Sequence, residues 1–424
     1  MIRLSLLGAA ALTALAFTAQ AQTIAAIGKV WTGADQGIIE QGVVIIEDGE
    51  ITAVGGPRTP IPDGAILIGG DDTWITPGIF APFSRVGLVE IGAEDSTDDA
   101  SAWDSDYSVS LDAADGFNPA RSTIAVTRIE GVTQMAIVPE ASSSLFGGHG
   151  FIADTSGSAT SITARKAFVY VELGEGGAWR AGGSRPAAWA YFRAALSDAR
   201  SYRSRYLGRN EGDALSRVDA QSLVDAARGD EMLLIEANSA SDIRKIIALK
   251  DEMGELDIAI VGAAEGWLVA DELADADIPV IIDPFDNLPA SFESLGATSR
   301  NAERLLAAGV ETAFAHLGDD GHQTRLILQS AGNAVANGVG HDAALAAITS
   351  TPAAIFGLEN YGILEEGAQP DLVVWDGDPL EVTVSPTAIV INGRLQSLES
   401  RQTRLRDRYM SLTLDDKPFT YRKP

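Results

Sequence analysis

Gly367-Ala368-Gln369-Pro370-Asp371-Leu372-Val373-Val374-Trp375-Asp376 is the stretch on which the fold turns. It reads as a turn marked by glycine and proline, followed by a short apolar strand. A second strand follows, Thr387-Ala388-Ile389-Val390-Ile391, and ends on an Asn392-Gly393 turn. Two short strands cannot bury a core by themselves. Strands of the same character stand at the other end of the chain. Gly42-Val43-Val44-Ile45-Ile46-Glu47-Asp48-Gly49 is an apolar run closed by an Asp-Gly turn, and Ile51-Thr52-Ala53-Val54 begins the next strand. Pro57, Pro60 and Pro62 stiffen the loop that follows. Each fragment is too small to fold alone. The sequence therefore predicts one composite β-sandwich, assembled from residues 22–74 and 361–397, in which strands from residues 24–68 share a sheet or sandwich with Leu372–Trp375 and Ile389–Ile391.

Between these halves, residues 75–360 alternate apolar strands with helical patterns. Strands are expected at residues 167–173, 232–236, 258–261, 279–282 and 312–315, and helices at 240–253, 265–274, 301–308 and 324–337. Strands without polar alternation, separated by amphipathic helices, belong to a parallel sheet covered on its outer face. Repeated this often, the pattern predicts a closed (β/α)8 barrel of the TIM type. Two low-complexity loops, residues 91–116 and 174–184, follow barrel strands and are expected at the strands' C-terminal face, where such barrels carry their sites.

Composition narrows the partners. A formal charge of −28 repels phosphate backbones and anionic lipid, which excludes nucleic acid and membrane surfaces and leaves a small molecule as the expected ligand or substrate. The chain has no cysteine, so disulfides and thiolate metal ligands are excluded. Arg3, an apolar run over residues 4–17 and the small-x-small triplet Ala19-Gln20-Ala21 read as a secretory signal peptide, residues 1–21, too short to span a bilayer comfortably. The mature protein is expected in the periplasm or medium, soluble and beginning near Gln22. The tail, residues 398–424, carries Arg401, Arg404, Arg406, Arg408 and Tyr409. It reads as an amphipathic cap or as a contact with a second copy in a homo-oligomer.

The chain resembles the amidohydrolase superfamily, and especially its imidazolonepropionase-like exported members. The words that carry the likeness are Thr351-Pro352-Ala353-Ala354-Ile355-Phe356-Gly357-Leu358, then Gly362 through Leu380, and at the other end Ile75-Thr76-Pro77-Gly78-Ile79. The resemblance covers nearly all of the mature chain. It implies a barrel whose first strand carries a His-x-His pair, which with ligands on later strands holds a divalent ion, zinc foremost, that activates water against a C–N bond.

At the pair's positions stand Phe83 and Arg85. Phenylalanine has no lone pair, and arginine is permanently charged and accepts no bond. By the same likeness Glu172 falls at the strand-four ligand and Glu236 at the strand-five histidine. The segment Val261-Gly262-Ala263-Ala264-Glu265 offers no strand-six histidine. The strand-eight aspartate falls on Leu317 by straight spacing, or on Asp319 with a short shift. Asp283 stands at the end of the seventh strand, in a position to contact a ligand or to form a turn. His316 and His322 flank Asp319 and Asp320, and read either as a metal-ligating group or as a polar loop. His149 reads as part of a glycine turn and His341 as exposed before a helix.

The sequence thus predicts a degenerate site with Glu172, Glu236 and Asp319 as the acid–base residues, and Phe83, Arg85, Asp283 and His316 lining the cavity. No metal ligands and no cofactor are expected, although the family's chemistry, where retained, implies zinc. Arg85 and Phe83 share a strand face, so Arg85 is expected to enter the barrel and pair with Glu172 or Glu236. Two functions follow: a hydrolase of carbon–nitrogen bonds other than peptide bonds working through an altered site, or a catalytically inactive ligand- or protein-binding relative in the periplasm.

Overall fold

The computed structural model describes residues 22–206, 212–317 and 321–410. The expected signal peptide, Asp319, Asp320 and the last part of the tail lie outside the described residues.

Both ends of the chain build one sheet. Its strands are β1 (Ile24–Trp31), β2 (Ile38–Glu47), β3 (Glu50–Gly55) and β4 (Ile66–Pro77) from the N-terminal side. Seven strands run in the order β15-β14-β13-β4-β1-β2-β3, where β13 is Leu372–Trp375, β14 Pro386–Ile391 and β15 Arg394–Leu395. The junction is the antiparallel pairing of β13 with β4, Leu372 opposite Pro77 through Trp375 opposite Trp74. The expected composite therefore forms, as one hydrogen-bonded sheet. Ile24, Val44, Ile46, Ile75, Leu372 and Val390 bury one of its faces, drawing core residues from both chain ends.

Gly78 separates β4 from the first barrel strand, β5 (Ile79–Ser84). The barrel continues with β6 (Val132–Ile137), β7 (Phe146–Asp154), β8 (Ile162–Glu172), β9 (Met232–Ala237), β10 (Ile258–Gly262), β11 (Val280–Ile282) and β12 (Thr312–Phe314). They lie in sequence order across an eight-stranded sheet. Residues Ala347 and Ile348 bridge its two edges: Phe314 N donates to Ala347 O (2.8 Å) and Phe80 N to Ile348 O (2.9 Å). The barrel is thus nearly closed. Side chains alternate between two apolar cores. Phe80, Phe168, Leu234 and Ile281 fill the lumen, while Val169, Leu233, Ile260 and Val280 face the outer helices.

One strand departs from the parallel pattern. β7 runs antiparallel to both β6 and β8. The reason is connection length. Residues 138–145 and 155–161 are too few for a parallel crossover, which needs about a dozen residues or more. His149, expected in a turn, is therefore a strand residue, 1% exposed. The glycines around it serve the lumen. A Cβ on Gly150 would stand 2.1 Å from the Phe168 ring, and one on Gly147 would stand 2.9 Å from that of Tyr170. Both aromatic rings lie in space these glycines leave open.

Trp375 locks the sheet to the barrel. It is 1% exposed, donates from Nε1 to Thr76 Oγ1 (2.9 Å), and covers Gly131, whose φ of +92° and missing Cβ admit the indole.

Candidate active site at the barrel mouth

The C-terminal ends of β5, β8 and β9 bring the candidate residues together. Residues two apart on a strand share a face, so Tyr170 and Glu172 on β8 enter the lumen together, and Glu236 on β9 stands beside them. The parallel register sets Glu172 directly opposite Glu236. Tyr170 is almost fully buried, and its hydroxyl donates to Glu236 Oε2. Its ring meets Phe83 edge-on at 6.1 Å. Phe83 therefore packs in the lumen as an apolar wall.

The ion pairs differ from the expected ones. Glu172 takes its guanidinium from Arg180, on the short helix Glu175–Arg180 that follows β8. Arg85 instead reaches Glu140 at 3.8 Å, on the loop after β6, with its guanidinium 5.9 Å from the Phe83 ring centre. The reason is reach. Arg180 ends the short helix that follows β8, which folds back beside Glu172, while Arg85 sits past the end of β5, next to the β6 loop.

Glu172 is pushed up to about 7, first by burial and next by the charge of Glu236, with Arg180 pulling the other way. Burial, followed by the charges of Glu236 and Glu172, raises the Tyr170 phenol well above its usual range, so it stays a hydrogen-bond donor. Glu293 completes the rim. Its carboxylate accepts from Glu175 N (2.7 Å), Arg185 Nη2 (3.3 Å) and Asn238 Nδ2 (3.3 Å), joining three segments of the mouth. Burial raises its carboxyl as well.

Tyr170, Arg180 and Glu293 were not legible as site residues. Tyr170 carried a signal, its two-residue spacing from Glu172. Arg180 and Glu293 sit in polar loop sequence with nothing to mark them.

A second polar group forms at the ends of β11 and β12. Asp283 is buried. It accepts from Phe285 N (2.9 Å) and Leu317 N (3.0 Å), and its Oδ2 lies 3.5 Å from His316 Nδ1. Ser330, buried on the helix Ile327–Ala336, stands 3.4 Å from the same ring nitrogen. Asp283 thus works chiefly as a turn-forming acceptor that orients His316. His322 lines a different groove of about 700 Å³, with Arg325, Glu130 and Arg401. His341 is half-buried rather than exposed, 2.9 Å from Asp378. Trp179 stands 76% exposed on the helix that carries Arg180.

At the two positions that the resemblance assigns to the family's first-strand ligands stand Phe83 and Arg85. Phe83 offers no donor atom, and Arg85 would repel a cation. β10 ends on Gly262, whose φ is +96° and where a Cβ would stand 2.5 Å from Asn238 Oδ1. Among the described residues no three His, Asp or Glu side chains converge on one point. No helix among them is long and apolar enough to cross a membrane.

Known proteins share this architecture. An amidohydrolase structure from Thermotoga maritima MSB8 superposes with a TM-score of 0.77 at 23% identity, over 88% of this chain and 99% of that one. Molinate hydrolase superposes with a TM-score of 0.53 at 15% identity, over 96% and 99%. These likenesses establish the fold. The amidohydrolase tasK of Hapsidospora irregularis is 24% identical over 390 residues, 84% of this chain, and the chain spans only 40% of that relative's length. The profile of the Amidohydrolase family matches residues 98–399, well over half of the sequence. With the barrel, the composite sheet and the site at the strands' C-terminal ends in place, the chain belongs to the amidohydrolase family.

Proposed function

We propose that the protein hydrolyses a carbon–nitrogen bond of a small molecule, with Glu172 and Glu236 as its acid–base pair in place of a metal-activated water. The observation that carries this reading is the lumen-facing pair itself: two carboxyls in register on adjacent strands, in unequal surroundings. General acid–base chemistry needs one group to take a proton and another to give one near the working pH. In the forward step Glu236 takes a proton from water as the water oxygen bonds to the substrate carbon. Glu172 gives its proton to the nitrogen as the C–N bond breaks. Proton exchange with solvent resets the pair. Arg85 supplies a fixed positive charge at the mouth for the oxyanion that develops. His316 and Asp283 stand just after β12 and β11, and the family's strand-eight aspartate falls on Leu317 by straight spacing or on Asp319 with a short shift.

A second reading, ligand binding without turnover, is favoured by Phe83 and Arg85, which replace the residues on which the family's usual chemistry depends. A panel of cyclic amides, dipeptides and other C–N compounds, assayed with chelator and with added zinc or manganese, separates the two. The expected result is turnover that survives chelation and falls about 100-fold or more in Glu172→Gln and Glu236→Gln. Turnover that requires metal overturns the proposed mechanism. Saturable binding with no turnover under any condition supports the second reading.

The segment ending Ala19-Gln20-Ala21 supports export to the periplasm or medium with cleavage before Gln22. N-terminal sequencing of natively exported protein tests this, and an intact Met1 overturns it.

A further inference from the structure

We propose that the rim of exposed aromatic rings around the barrel mouth is a subsite for the non-reacting part of the substrate, an uncharged aromatic or long-alkyl group joined to the C–N bond that the mouth hydrolyses. This rests on the hydrolytic reading of the site, and it adds the class of molecule that the site takes.

The observation is where the exposed rings stand. Among the described residues every exposed tryptophan and phenylalanine lies on a segment that follows the C-terminal end of a barrel strand: Trp103 after β5, Trp179 after β8, and Phe285 and Phe292 after β11. Large apolar side chains exposed singly are ordinary, but a concentration of them on one face marks a site of contact. Hydrogen bonds join these segments into one wall. Glu140 N, on the loop after β6, donates to Ala100 O (2.8 Å), close in sequence to Trp103. Arg180 Nε, beside Trp179, donates to Ser142 O on that same β6 loop (3.1 Å). Glu175 N, on the helix that carries Trp179, donates to the carboxylate of Glu293, next to Phe292 (2.7 Å). The Phe285 ring meets His316, just after β12, edge-on at 6.2 Å.

The wall leads inward. Phe83 and Tyr170 meet edge-on at 6.1 Å at the mouth, and Phe168 and Phe80 fill the lumen with them. A protein partner with a flat surface would reach the rim alone, whereas a small molecule entering the mouth meets the rim and then Phe83. Asp104 and Asp106 stand exposed beside Trp103, so the group held there carries no negative charge. Aromatic rings bury a large apolar area without a charged contact. The part of the molecule that does not react thereby presents the reacting bond to Glu172 and Glu236.

The test uses full-length protein and the p-nitroanilides of acetic, butanoic, hexanoic and octanoic acids, whose C–N cleavage releases coloured p-nitroaniline. Trp179 and Phe292 are 76% and 85% exposed, so the double variant Trp179→Ser, Phe292→Ser removes two rings of the rim and leaves the packing intact. Val382→Ser, at an exposed apolar position between β13 and β14, is the control. Each fully buried methylene strengthens binding about fourfold. The expected result is a kcat/KM that rises about tenfold or more from acetyl to octanoyl, mainly through KM, with the rise kept in Val382→Ser and cut to about threefold or less in the double variant. The same rise in the double variant, or turnover without a rise in the wild type, overturns the proposal. Calorimetric binding of octananilide and acetanilide needs no turnover. If no anilide is hydrolysed, a chain-length preference in binding that the double variant loses defeats the hydrolytic reading and leaves the subsite standing. Equal or absent binding of the two, or a preference that the double variant keeps, overturns the subsite. A wild-type dimer in sedimentation that the double variant loses, without any chain-length preference, gives the rim to a second copy and overturns it as well.

Discussion

Glu172 shows how a residue's identity leaves its behaviour undecided. As a strand-end glutamate it would ionise in the ordinary range, but burial and Glu236 push it up to about 7. Its folded-state value lies above its unfolded one. The folded form therefore binds the extra proton, and the stability this confers is present at low pH and lost as pH rises from the ordinary carboxyl range through about 7. Arg180 limits that loss by pairing with the ionised form. Arg180→Gln should raise the Glu172 midpoint further and destabilise the protein more at alkaline than at mildly acidic pH, by up to about 3 kcal/mol once the carboxylate is ionised without its partner. Thermal unfolding followed across pH checks this, and an equal loss at every pH would contradict it. Asp371 follows the same sign. Buried at the junction of sheet and barrel, it is pushed up to about 6 chiefly by burial, against the bonds it accepts from Asn392 N, Gln134 and Gln369. Asp371→Asn should flatten the fall in stability between the ordinary carboxyl range and about 6, an effect on the order of 3 kcal/mol.

At the scale of elements, the helix Glu175–Arg180 owes its seat to glycine. A Cβ on Gly177 would stand 2.0 Å from the carbonyl oxygen of Glu172, and one on Gly176 would stand 1.5 Å from the Glu172 carboxylate. The backbone oxygen cannot swing away as a side chain can. Gly182 and Gly183 just beyond have φ of +97° and open space around them, so there the requirement is conformational. Gly182→Ala should cost about 1–2 kcal/mol, the penalty of a left-handed backbone. Gly177→Ala should cost about 3 kcal/mol or more, because the helix must lift off β8 and carry Arg180 away from Glu172. Denaturant unfolding of the two variants, with the Glu172 titration as a second reading, distinguishes packing from backbone strain. Gly176 and Gly177 also explain why residues 174–184 read as a low-complexity loop: these two answer contacts with Glu172 that exist only once β8 is in place.

Across the whole molecule, sheet and barrel stand or fall together. β4 runs through the sheet and, after Gly78, becomes β5 of the barrel, while β13 returns from the far end of the chain to pair with β4. Trp375 fastens this joint against Thr76 and Gly131. Trp375→Ala should cost about 3–5 kcal/mol through the cavity it leaves. It should lower the melting temperature of sheet and barrel in one transition, since neither core is independent of the shared strand. Two separated calorimetric transitions in the variant would show that the units unfold apart. The same connectivity puts Phe83 and Arg85 at the mouth, a few residues after the sheet releases the chain.

What the sequence determined by itself was local. The apolar runs around Leu372–Trp375 and Ile45–Ile46, too short to bury themselves, required each other, and the strand–helix alternation of the middle required a covered barrel, because hydrophobic patterning is written residue by residue. It also placed Phe83, Arg85, Glu172 and Glu236 on strand ends. What only the tertiary structure decided was orientation and partnership. The antiparallel course of β7 followed from connections too short to cross over, a constraint hidden until the strand boundaries were known. Arg180 rather than Arg85 became the counter-ion of Glu172, and Tyr170 the donor to Glu236, because a charged or hydroxyl group pairs with whatever folding brings within hydrogen-bond reach, and those distances are set by strand register and helix placement rather than by proximity along the chain.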